Sequence, residues 1–172
     1  IKFNCDMIFY AAYGSNLNKN QMLSRCPKSK PYTGIILKNW QLVFKGVADI
    51  EIKKKSFLFL GLYRITRECE KKLDVYEDFP QVYDKVYFNK IVQGKKIRFM
   101  LYSMNSKFDY ALPTCKYFKT IEKGFIDWNF NLSKLHDAGF HSLKNNTKKG
   151  YKSKNWNDKK KLSLGKLNAM EF

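Results

Sequence analysis

Short apolar runs alternate with turn-forming residues along this chain, and their lengths favour strands joined by brief helices. Met7 to Tyr13 is apolar throughout, too short to span a membrane and without the charged head or small-residue exit of a signal peptide, so it reads as a buried opening strand. A loop at Gly14 and Ser15 follows. Asn18 then caps a short helix, with Gln21 three residues on, and Pro27 stops it. Gly34 to Gly46 alternates apolar with polar positions around Trp40, Leu42 and Phe44, the pattern of a half-buried strand. Ser56 to Ile65 is denser in apolar residues, as a strand covered on both faces should be, and Gly61 within it marks a bulge or a close backbone approach. Thr66 caps a second helix, with Glu68 and Glu70 at its positive end and Cys69, Leu73 and Tyr76 on its apolar face. Val82 to Val92 and Lys96 to Met104 read as strands joined by a Gln93-Gly94 turn. Pro113 opens a helix through Lys123 that Gly124 ends.

This order is not strict βαβ alternation. It predicts an α+β fold with a curled, partly closed mixed sheet. The 172 residues suit one domain, and the 44% apolar content is enough for a core while no apolar run reaches the length of a span. From Lys144 onward Lys, Asn and Ser replace aliphatic residues, so the expected organisation is a domain over 1–143 and a basic tail over 144–172. Leu162, Leu164, Leu167 and Met170 can dock as a short helix, but the rest of the tail has too little apolar surface to offset the entropy of ordering.

A formal net charge of +18 points to a nucleic acid or another polyanion as partner. Lysine supplies nearly all of it, with only Arg25, Arg64, Arg67 and Arg98 as arginines. A base reader would use more arginine for bidentate contacts, and an AT-rich coding sequence accounts for the same lysine and asparagine excess. Cys5, Cys26, Cys69 and Cys115 show no metal-ligand spacing and are expected as free, mostly buried thiols of a reducing compartment, the cytoplasm. His136 and His141 have no partner at ligand or triad spacing and are placed on the surface.

Two segments invite a chemical reading. Tyr13-Gly14-Ser15-Asn16-Leu17 leaves a strand and enters a helix, so its backbone amides can converge on a carboxylate or oxyanion. An ordinary strand-to-helix turn has the same composition. Leu73-Asp74-Val75-Tyr76-Glu77-Asp78-Phe79-Pro80 embeds three acids among aromatics. Asp74 and Asp78 read as solvated or capping residues, whereas Glu77, between Tyr76 and Phe79, is placed for a desolvated carboxyl with a raised pKa. Asp49 is read as a capping or pairing residue.

Together these segments resemble the γ-glutamylcyclotransferases and the related AIG2-like proteins. The resemblance rests on Tyr10 to Leu17 with Met22 and Arg25-Cys26-Pro27, then Leu42 to Ile50, Gly61 to Thr66, Leu73 to Tyr83, and Pro113 to Trp128 with Tyr117, Ile121, Gly124 and Asp127. It covers roughly residues 7 to 140, in the family's order. It implies a small mixed β-barrel flanked by helices. The implied activity converts a γ-glutamyl amide to 5-oxoproline and a free amine, with a small-molecule substrate and neither metal nor cofactor. It also implies that Tyr13, Gly14, Ser15, Asn16 and Leu17 hold the glutamyl end and that Glu77 is the acid/base. Tyr83 resembles a pocket-lining aromatic, and Tyr117 a residue that orients substrate, although core packing explains either. Asp78 stands where the family often has glycine. The alternative function is a non-catalytic scaffold that binds nucleic acid or an acidic partner through its lysines.

Overall fold

A computed structural model describes residues 7–105 and 107–169. Five strands, β1 (Met7–Ala12), β2 (Lys30–Phe44), β3 (Ala48–Thr66), β4 (Tyr83–Val92) and β5 (Lys95–Met104), form one sheet in the order β2-β3-β1-β5-β4. Only the β1–β5 pair is parallel. The helices are α1 (Lys19–Arg25), α2 (Arg67–Tyr76), α3 (Cys115–Asp127), α4 (Ser133–Asn145) and α5 (Leu164–Asn168). None of these is long and apolar enough to cross a membrane.

The mixed α+β architecture is as expected, but the sheet does not close into a barrel. β2 and β4 remain its two edges. Curling brings the edges together through side chains: Trp40 of β2 meets Phe88 of β4 edge to face at 5.5 Å, where a barrel would place backbone hydrogen bonds.

Local signals account for most boundaries. The Asn18 side chain accepts from Gln21 N, the Thr66 side chain accepts from Cys69 N, and Gln93 and Gly94 both have positive φ, as a tight hairpin turn needs. Gly124 is different. It does not end α3, which runs on to Asp127. A Cβ there would lie 2.5 Å from Leu17 Cβ and 2.7 Å from Asn18 N, so the glycine lets α3 press against the turn after β1. Gly61 serves the same turn from β3, with Trp128 and Leu17 in the space a side chain would need.

Several expectations are corrected. His136 is buried and stacks on Phe118, and the His141 ring meets Tyr110 at 4.8 Å, because both lie on α4, which packs against the body. Cys26 and Cys69 form a disulfide between the end of α1 and the first turn of α2. Cys115 is a buried free thiol, and Cys5 lies outside the described residues. Asp74 is not a solvated acid: it accepts from the Tyr102 hydroxyl at 2.6 Å and pairs with Lys85 at 2.8 Å. Asp49 does pair structurally, with Lys45 at 2.7 Å and with Met104 N at 2.8 Å.

The basic segment also packs on the body. Tyr151 N donates to Lys45 O and Leu162 N to Pro113 O, and Leu162 and Leu167 are buried against Gly139. Leu164 is exposed, and Met170 lies outside the described residues.

Gly124→Ala tests the close approach of α3. The change gains about 1 kcal/mol of intrinsic helix preference, but the collision with backbone costs about 1–3 kcal/mol. Because that backbone is held on both sides, the variant should unfold at lower urea. An unchanged midpoint would show that the turn yields freely.

Candidate active site

The site begins where β1 ends. Flanked by β3 and β5, β1 delivers Tyr13 and Gly14 to the middle of the fold, and a single 3-10 turn over Ser15–Leu17 leads into α1. This turn is braced from outside: the Tyr63 hydroxyl donates to Asn16 O at 2.9 Å and the Trp128 indole to Leu17 O at 2.8 Å. Its own bonds use the amides of Leu17 and Asn18.

Glu77 reaches the same place from α2, where it caps the C-terminus with its N–H donating to Leu73 O at 2.8 Å. Lys85, clamped between Glu70 and Asp74, fixes α2 to β4, and the Cys26–Cys69 disulfide ties it to α1. Asn16 joins the two halves. Its Nδ2 donates to Glu77 Oε1 at 3.3 Å and to the Tyr10 hydroxyl at 3.0 Å, while its Oδ1 accepts from Arg25 Nη1 at 2.7 Å. A guanidinium only donates, so Arg25 fixes which way the Asn16 amide faces. The same guanidinium lies 3.7 Å from the centre of the Tyr76 ring.

Burial is the largest influence on Glu77 and pushes its carboxyl up to about 8. Arg25 opposes the shift and Asp78 adds to it. The carboxyl borders a hollow of about 40 Å³ that Tyr13, Gly14, Ser15, Asn16, Tyr83 and Tyr117 also line. Leu17, expected with them, is wholly buried and belongs to the core, where it fills the space beside Gly61 and Gly124. Two hydroxyls on the wall are committed to backbone: Tyr13 donates to Tyr102 O and Tyr83 to Ala48 O at 2.6 Å. Tyr117 Oη accepts from Ala48 N at 2.9 Å. Among the described residues no three His, Cys, Asp or Glu side chains gather as a metal centre requires.

Sequence reasoning gave no role to Arg25, Tyr10, Tyr76 or Tyr102, nor to Tyr151, Ser153, Asn155 and Trp156 of the basic segment, which line the hollow from above. Tyr151 and Trp156 had a readable signal: they are two large aromatics in an otherwise polar stretch.

A raised carboxyl pKa has a signed effect on stability. Between the ordinary value of 4.5 and about 8, folded Glu77 keeps a proton that the unfolded chain releases, so its contribution to stability falls as pH rises. Glu77→Gln removes this loss. The variant should gain stability over the wild type as pH climbs from 5 to 8, read from denaturant midpoints across pH. A constant difference would mean that the carboxyl titrates normally.

No family model matches this sequence, and no curated protein does. Solved structures do. A protein described as gamma-glutamyl cyclotransferase superposes with a TM-score of 0.70 at 21% identity, over 87% of this chain and 95% of its own. An uncharacterized human protein gives 0.68 at 21% identity over the same shares. YkqA from Bacillus subtilis gives 0.66 at 18% identity, over 81% of this chain and 55% of its own. With its five-stranded mixed sheet and flanking helices superposing on these structures over most of its length, the chain has the γ-glutamylcyclotransferase fold.

Proposed function

We propose that this protein is a cyclotransferase that converts a γ-glutamyl amide to 5-oxoproline and a free amine. The observation that carries this reading is a desolvated carboxyl, Glu77, hydrogen-bonded to Asn16 of the turn after β1 and bordering a hollow with it. The nucleophile is already part of the substrate, so the site needs only to fold the chain and move protons. The α-nitrogen attacks the γ-carbonyl carbon and closes a five-membered ring. The bond from that carbon to the departing nitrogen then breaks. Starting from the α-ammonium, the α-nitrogen loses one proton to free its lone pair and a second as it becomes the ring amide, while the departing nitrogen gains one to leave as the amine and a second from solvent to become an ammonium, so no water is consumed.

Glu77 is suited to carry that proton because its pKa lies close to those of the nitrogens it serves. Asn16 and Arg25 hold the carboxyl side in place. The amides of Ser15 and Asn16, at the head of the turn, are the donors offered to the carbonyl oxygen as it gains charge, or to the substrate carboxylate.

Purified protein should release 5-oxoproline from at least one member of a panel of γ-glutamyl amino acids and amines. Glu77→Gln should cut release by about 10²–10⁴-fold while the protein still unfolds cooperatively. In the wild type kcat/KM should rise as pH passes through about 8, since the ionised carboxylate takes the proton from the α-ammonium. Full turnover by the glutamine variant would remove Glu77 from the mechanism.

A second reading, binding of a polyanion, is favoured by one feature of β3. Between Ile52 and Phe57 the register with β2 breaks, and Lys53, Lys54 and Lys55 stand exposed in the resulting bulge. Retention on immobilised DNA that collapses between low and moderate salt would support it. No retention at physiological salt would leave the charge as composition.

A further inference from the structure

The segment after α4 crosses the mouth of the hollow, anchored at both ends. On entry, Tyr151 N donates to Lys45 O at 2.8 Å. Gly46, with φ of 86°, leaves no room for a side chain beside the Tyr151 carbonyl, and a side chain at Gly150 would collide with Ala111. On exit, Cys115 N donates to Lys160 O at 2.8 Å and Leu162 N to Pro113 O at 3.0 Å. Between these anchors Ser153 Oγ accepts from the amides of Asn155 and Trp156, which turns the chain over the site.

Two side chains fasten this crossing to the elements that build the site. The Tyr151 hydroxyl donates to Asp78 Oδ2 at 2.6 Å, beside Glu77. The Trp156 indole donates to the Tyr76 hydroxyl at 2.8 Å, and its ring lies 5.0 Å from that of Tyr117. Tyr76 in turn shares a hydrogen bond with Ser15 of the turn at 2.9 Å. Lys152 and Lys154 are exposed, so the segment's charge points to water and neutral groups face the hollow. Beneath it lie about 40 Å³. The space is narrow, and Tyr151 and Trp156 stand on its wall, so a departing group that extends beyond the reacting end meets them.

We infer that Gly150–Trp156 is the roof of the site and that Tyr151 and Trp156 set its specificity, admitting γ-glutamyl compounds with a small leaving amine and rejecting those with a bulky one. This rests on the cyclotransferase reading. It adds the class of substrate.

A graded series of γ-glutamyl amides, from methylamide through butylamide to naphthylamide, tests it in the full-length protein. In the wild type kcat/KM should fall at least about 100-fold along the series, and Trp156→Ala should narrow that ratio at least about tenfold. Tyr151→Phe, which loses only a hydroxyl, should narrow it less and speed hydrogen exchange of the amides from 151 to 156. Calorimetric binding of the same amides to Glu77→Gln, and to that variant combined with Trp156→Ala, reads the size limit without turnover. A wild-type ratio within a few-fold, or a ratio that neither roof variant changes, overturns the roof and leaves the catalytic reading standing. If no amide is turned over, the catalytic reading fails by itself. Size-limited binding relieved by Trp156→Ala then upholds the roof, and binding that is absent or indifferent to size overturns it.

Discussion

A carboxyl group withdrawn from water holds its proton unless a donor or a positive charge compensates, and the placement of Glu77 turns on how little compensation it receives. Asn16 offers one amide hydrogen at 3.3 Å, and Arg25, which bonds Asn16, opposes the shift through its charge without outweighing burial, so the carboxyl is held in position without being committed to its charged form. A direct salt bridge would have fixed the ionised state and removed the group from proton transfer near neutrality. The supporting parts can be read as ways of keeping this geometry. Gly124 and Gly61 let α3 and β3 press on the turn that carries Asn16, and the Lys85 cluster and the Cys26–Cys69 disulfide hold α2 where its last residue meets that turn.

What the sequence made legible was local. Asn18 with Gln21, Thr66 with Cys69, and the Gln93-Gly94 turn each depend on residues a few positions apart, and each appears where pattern places it. Glu77 and the Tyr13–Leu17 segment were marked by unusual composition, and their order along the chain suggested a shared frame. What stayed hidden depends on distant partners. Gly124 has the composition of a helix stop, and only the presence of Leu17 behind it explains why the helix continues. His136 is polar by type yet buried by the packing of α4, and Arg25 lay in a motif whose sequence says nothing of an amide nine residues earlier. The polar segment over 150–162 lacks the apolar density that orders most chains, but backbone bonds to Lys45, Pro113 and Cys115 and two aromatic anchors hold it. None of these leaves a periodic trace.

Asp78 links the acid to the roof. Its φ of 48° lies in the left-handed region, where glycine is at ease and another residue costs about 1–2 kcal/mol, least for Asn and Asp. Unlike a glycine, the aspartate brings a side chain with two consequences for the site. Its carboxylate accepts the Tyr151 hydroxyl, which secures the roof, and its charge pushes the pKa of Glu77 upward. The two effects act in the same direction. Burial raises the Glu77 pKa, and the negative charge that holds Tyr151 raises it further. The contact that secures the roof and the charge that favours protonated Glu77 thus belong to one residue, Asp78.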